Sequence, residues 1–220
     1  IGPQDSYAKG VISSNVAPTN DKFAGVDLSK ASPAQFAALG LTTRTQQEKN
    51  AIAHTLAGEL SAKSLKGLTS TDLAARNEAR TEMANMVASI ENRAAIAKYG
   101  TIAGALTPSQ YNSLMSQNLG VTNQNYGMFG TALNAAVNDF YSGTMKPTDY
   151  NVTSYYNSEI TSPSWGAQMS NPAKAGEHTF GSLPEYSPGT TFAAERDRMA
   201  AAQRETTRGW TPSIGGVPSR

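Results

Sequence analysis

One carboxylate, Glu59, stands inside an apolar helical stripe. Downstream of Thr45, Ile52, Leu56 and Lys63 fall near one line at about 100° per residue with Leu60 and Ala53 flanking, and Glu59 falls about 20° from Ile52. His54 points to the opposite side. A carboxylate on such a face costs free energy unless it is paired, protonated or turned toward a cleft. At a cleft rim, desolvation helps a carboxyl group hold its proton near neutral pH. A general acid working on a glycosidic oxygen needs that property. The competing structural account has Glu59, near a helix end, curling out to solvent.

A second cluster is aromatic and polar. Tyr150, Tyr155, Tyr156 and Trp165 are interleaved with Thr153, Ser154, Asn157 and Ser164. Carbohydrate sites use this mixture, because ring faces pack on sugar C–H groups while hydroxyls and amides read sugar hydroxyls. The bland alternative is a loop pinned to a helical core by its rings. Other chemistries lack their residues. The two histidines, His54 and His178, have no ligand spacing, so no metal is expected. Neither a Gly-x-Ser-x-Gly elbow nor a Gly-rich phosphate loop occurs, and no cofactor is implied. Arg76, Arg80 and Arg93 read as a solvated face or as partners of Glu78, Glu82 and Glu91.

These residues need elements to hold them. Thr45-Gln46-Gln47-Glu48 has the form of a capping box, which starts the helix that bears Glu59. A longer helix is expected from Asp72 to Lys98, capped by Ser70 or Thr71 and stopped by Gly100, with Met83, Met86, Val87, Ile90, Ala94 and Ala97 inward. A short helix is expected from Pro108 after Thr107, and another over Phe129–Ser142, with Gly143 as terminator. Lys146–Tyr186 has no helical period and reads as loop with a short hairpin. Helical pattern returns over Thr191–Arg208, where Phe192 and Met199 are the bulky apolar residues, so this helix is expected to lie against a partner or project into solvent. A short helix at Pro33–Leu39 follows the cap Ser32. The expected fold is mainly α, a small helical domain at 45–186 with an irregular aromatic-rich loop or hairpin region. It is flanked by an extended N-terminal arm (1–44) and by a C-terminal helix and tail (187–220).

Composition bounds the partners. The 220 residues are 39% apolar and carry 18 basic against 17 acidic side chains, for a net charge of +1. No general field attracts nucleic acid or anionic lipid. No apolar stretch approaches the roughly 20 residues that span a bilayer. Cysteine is absent, which excludes disulfides but fixes no compartment.

In order along the chain, four segments resemble the spore-cortex-lytic type of cell-wall hydrolase, a bacterial and phage family that cleaves peptidoglycan. Ala53-His54-Thr55-Leu56-Ala57-Gly58-Glu59 is similar to the family's first helix, whose Ala-Glu-Ala-type run bears the catalytic glutamate. Met86 to Arg93 resembles the next helix, which ends in Asn-Arg. Ala105-Leu106-Thr107-Pro108-Ser109-Gln110-Tyr111 resembles a Pro-x-Gln-Phe stretch. Val152 to Asn157, Ser162 to Trp165 and Gly176 to Phe180 follow the C-terminal succession of the family. The resemblance covers about residues 45–183. The chain departs from the pattern at Gly58, where the family carries a larger side chain. It also lacks a second acid among Leu60, Ser61 and Ala62, holds Ser154 in place of a histidine, and inserts the polar run Ser64–Asn77.

The resemblance implies a lysozyme-like fold with a cleft beside Glu59 and cleavage of the β-1,4 bond between N-acetylmuramic acid and N-acetylglucosamine. Glu59 would protonate the leaving oxygen. In the lytic-transglycosylase version it would then take the proton of the muramyl C6 hydroxyl, which needs no second carboxylate; Glu82 and Glu91 are the candidates if one is required. Gln110, Tyr111, Thr153, Tyr155 and Tyr156 would line the glycan groove, while Trp165 and His178 brace the loops. Alternatively the chain is a catalytically inactive structural module that keeps the hydrolase fold, or an unrelated helical interaction protein. The start at Ile1 and the flanking arms fit a phage virion, whose other proteins the arms would meet; a cell-wall or periplasmic enzyme trimmed at its start would look the same.

Overall fold

The computed structural model describes residues 23–208. Among these residues, seven α-helices and one three-stranded sheet follow in the order α1 (Pro33–Ala38), α2 (Gln46–Glu59), α3 (Ala62–Leu68), α4 (Leu73–Ala94), α5 (Ile102–Ala105), α6 (Leu119–Tyr141), β1 (Ser154–Asn157), β2 (Ser170–Ala175), β3 (His178–Ser182) and α7 (Thr190–Arg208). The mainly α class is therefore as expected. The Lys146–Tyr186 stretch is more regular than its composition indicated. It forms an antiparallel sheet of order β1-β3-β2, with Tyr155 opposite Phe180 and Ala175 opposite His178.

The main compact unit runs from Ala31 to Ala194. Its centre is the face shared by α2, α4 and α6, where Ile52, Leu56, Met83, Met86, Ile90, Leu133, Val137 and Phe140 are fully enclosed. Residues 31–44, read as part of an arm, belong to this unit. Ser32 caps α1, its Oγ accepting from Gln35 N, and Phe36 is 1% exposed, edge-on to Phe192 of α7. Among the described residues, a second unit comprises 23–30 together with 195–208. There Gln203 donates to the Val26 carbonyl and accepts from Leu28 N. The outer arms at 1–22 and 209–220 lie outside the described residues.

α2 starts where expected. Thr45 Oγ1 accepts from Glu48 N at 3.1 Å, and Glu48 Oε2 accepts from Thr45 N at 2.8 Å. It ends because Leu60 turns to extended backbone and Ser61 caps α3, so Glu59 occupies the corner between two helices. The run Ser64–Asn77 is not an irregular insertion: it holds most of α3, whose Leu65 and Leu68 are buried, and the start of α4.

Three helical boundaries differ from expectation. α4 is capped by Asp72 and ends at Ala94, before Gly100. The helix expected from Pro108 is one turn closed on the Thr107 carbonyl, because Tyr111 leaves it in extended backbone; a short 3-10 turn, Asn112–Leu114, follows. α6 begins ten residues before Phe129, through Gly120, Asn123, Asn125 and Gly127, which are weak helix formers. Contacts with α2 hold that first half in place: Asn125 donates to the Ala57 carbonyl at 2.9 Å, and Asn123 Oδ1 lies 2.7 Å from His54 Nε2. Gly143 closes α6 at φ 77° as expected.

Candidate active site

Glu59 is the last residue of α2, half-buried at the helix's C-terminal end. Free carbonyls there carry partial negative charge, so a carboxylate in that place needs donors from other elements. It has two. Ser113 N donates to Oε1 at 2.9 Å, and the Tyr155 hydroxyl donates to Oε2 at 3.2 Å. The first comes from the segment that leads into α6 and the second from β1, across 96 residues of sequence. The side chain does not curl away into solvent.

Gly58 makes the first of these contacts possible. A Cβ at this position would lie 2.2 Å from Thr122 Oγ1 and 2.5 Å from Ser113 Cβ. Thr122 in turn donates to the Ser113 carbonyl at 2.8 Å. The end of α2 can therefore approach the Ser113 segment only without a side chain. The glycine at position 58 has this local reason.

Tyr155 is aimed by the sheet. Its ring lies opposite Phe180, at 5.5 Å between centroids, and edge-on to His178, also at 5.5 Å. Burial, and then the neighbouring Glu59 carboxylate, hold its phenol well above the usual tyrosine range, so it stays a donor. Tyr111 lies inside the same cluster, 2% exposed, its phenol pushed up to about 12 by burial against the opposing pull of Arg93.

α4 anchors the segment that carries Tyr155. Asn92 Nδ2 donates to the carbonyls of Tyr150 and Val152 at 2.8 and 2.7 Å. Arg93 Nε donates to the Thr153 carbonyl at 2.6 Å, and its Nη1 to Gln110 Oε1 at 2.9 Å. The guanidinium also stacks on Tyr186, 4.6 Å from the ring centroid. Arg93 is thus not on a solvated face, and Arg80 pairs with Asp139 at 2.7 Å rather than with a glutamate of its own helix. Sequence reasoning placed Met83, Met86, Val87, Ile90 and Ala94 inward correctly, put Ala97 with them although α4 ends at Ala94 and Ala97 is exposed, and missed this polar stripe. The polar run Glu91-Asn92-Arg93 directly after Ile90 was the signal that could have found it.

The expected groove residues separate into two groups. Tyr155 touches Glu59, and Tyr156 is half-buried, edge-on to Trp165 at 5.7 Å. Tyr111 and Thr153 are buried within the protein instead, and Gln110 is half-buried. Gln110 is bound by Arg93, and Thr153 is 6% exposed, its Oγ1 accepting from Leu183 N at 2.9 Å. A hollow of about 1020 Å³ is lined by Lys63, Glu78, Glu159, Lys174 and their neighbours, and a second of about 320 Å³ lies beside Asn92 and Tyr186; Glu59 lines neither.

Both candidate partner acids are occupied elsewhere. Glu91, 1% exposed, is gripped by Arg44 through two bonds of 2.8 and 2.7 Å and accepts from the Tyr141 hydroxyl at 2.5 Å. Glu82 is fully buried and accepts from Ser64 Oγ, from Glu177 N at 3.0 Å and from His178 Nδ1 at 2.7 Å. Among the described residues, no group of three or more His, Asp and Glu side chains is placed to hold a metal ion, and no helix is long and apolar enough to cross a membrane.

A scan of protein-family models and searches of curated proteins and of solved structures returned no match to this chain.

Proposed function

We propose that this chain cleaves the glycan strands of peptidoglycan through a lysozyme-like fold, with Glu59 as its general acid and base. The observation that carries the proposal is the Glu59 carboxyl itself, at the corner of two helices, half-buried and held by one donor on each oxygen. The motif order from Ala53 to Phe180 adds the substrate class by resemblance. Glu59 gives its proton to the O4 leaving group as the muramyl C1–O bond breaks. It then takes the proton of the muramyl C6 hydroxyl as that oxygen closes on C1, and a 1,6-anhydro product results. Engagement of Glu82 and Glu91 in their own bonds favours this lytic-transglycosylase route over hydrolysis, which canonically uses a second carboxylate as base or nucleophile. The domain would act in a phage virion or in the bacterial cell wall or periplasm.

Digestion of purified peptidoglycan by wild type and by Glu59→Gln, with mass spectrometry of the soluble products, tests the proposal. Anhydro-muropeptides from the wild type alone are expected. Reducing-end products would move the reaction to hydrolysis. Release of nothing by two folded proteins would leave a structural module that has kept the fold without the chemistry.

A further inference from the structure

Among the described residues, Glu82 is the one carboxylate with no exposure at all, and it faces no cation of the Lys or Arg type. It sits on α4, and its three partners come from three places: Ser64 Oγ from α3, Glu177 N from the turn between β2 and β3, and His178 Nδ1 from β3. The turn is shaped around it. Gly176 has φ 60°, and a Cβ there would lie 2.4 Å from the Glu82 carboxyl carbon. A buried acid that served stability alone could be replaced by apolar side chains of similar volume. The direction of its contacts gives this one another role.

With Nδ1 bound to Glu82, the plane of the His178 imidazole is set. That ring meets the Tyr155 ring edge-on at 5.5 Å and an interplanar angle of 80°, while Phe180 supports Tyr155 from the paired strand. Tyr155 is left with one direction for its hydroxyl, toward Glu59 Oε2. Arg93, on the same helix as Glu82, fixes the carbonyl of Thr153 just before β1. One helix therefore controls both the backbone and the ring of Tyr155. We infer that Glu82 is a positioning residue for Glu59, acting through His178 and Tyr155. The inference rests on the cleavage proposed above and concerns the same site.

Kinetics on a soluble peptidoglycan oligosaccharide would compare wild type, Glu82→Gln, Tyr155→Phe and the double variant, with Glu78→Gln on the exposed side of α4 as control. Glu82→Gln is expected to lower kcat about 10- to 100-fold with little change in KM, as misorientation does. The double variant is expected to be no slower than the slower single variant, because both changes break one chain of contacts. Unchanged kcat in Glu82→Gln, or multiplicative losses, would overturn the inference. Should Glu82→Gln fail to fold, His178→Gln keeps an amide donor for Glu82 while removing the ring beside Tyr155, and the same loss of kcat is expected. Carbon-13 NMR of the Glu59 carboxyl, assigned by its disappearance in Glu59→Gln, reads the coupling without catalysis. That signal should move in Glu82→Gln and not in Glu78→Gln. A signal that stays in place overturns the inference even if the protein cuts glycan. A signal that moves in a protein that cuts nothing supports it and removes the cleavage reading alone.

Discussion

At Gly58 two effects of opposite sign meet. Glycine inside a helix costs about 1 kcal/mol relative to alanine, so Gly→Ala is stabilising where space allows. At Gly58 there is no space: the contacts of 2.2 and 2.5 Å would have to open, and Ser113 and Thr122 are tied to each other. Overpacking of this kind costs about 1–3 kcal/mol, more than the propensity gain. Gly58→Ala is therefore expected to lower the melting temperature by about 2–8 °C at this chain length. It should also reduce glycan cleavage, since Ser113 N would leave Glu59. At Gly127 in α6 an added methyl group would meet nothing within 4 Å, so Gly127→Ala should raise the melting temperature by about 2–4 °C. Thermal unfolding of both variants followed by circular dichroism checks the opposite signs. The proximity of Gly58 to Glu59 is plain in the sequence, but the reason for glycine is not, because Ser113 and Thr122 lie more than fifty residues away.

At the scale of elements, α4 decides how the sheet is placed. Asn92 bridges α1 and the segment before β1, accepting from Ala34 N at 3.0 Å while donating to Tyr150 and Val152. Asn85 performs the same task one segment earlier, where its Oδ1 accepts from Thr148 N at 3.1 Å. Asn92→Ala would leave Ala34 N and the Val152 carbonyl unsatisfied, while the Tyr150 carbonyl keeps the Ser32 hydroxyl, at about 1–3 kcal/mol for each group that cannot relax. The expected result is a loss of about 2–5 kcal/mol in urea unfolding. Faster amide hydrogen exchange should appear in β1 and not in α2, because β1 is the element that loses its anchor. Helical periodicity announces the apolar side of such a helix. It says nothing of a polar stripe whose partners come from a loop sixty residues on.

For the whole molecule, buried phenols set a limit on the alkaline side. Tyr111 ionises near 10 in an unfolded chain and near about 12 in the folded one, because burial disfavours its charged form. Its contribution to stability is fully present below pH 10 and is lost as the pH rises toward 12, an amount on the order of 3 kcal/mol. Tyr141 and Tyr155 shift in the same direction, so their losses fall in the same alkaline range or above it. Urea midpoints should fall steeply above pH 10, and Tyr111→Phe should flatten part of that fall.

What the sequence by itself determined is local: the Thr45–Glu48 capping box, Ser32 with Pro33, the Gly143 terminator and the final helix. Each depends on residues within about one helical turn, so spacing alone reports it. Only the tertiary structure decided the rest. Weak helix formers in α6 became helical because α2 supplies partners for Asn123 and Asn125. The aromatic loop became a sheet because α4 holds its carbonyls. Glu82 and Glu91 turned inward because Ser64, His178, Arg44 and Tyr141 converge on them from distant segments. A buried polar group takes its conformation from whichever partner reaches it, and no window along the chain contains that partner.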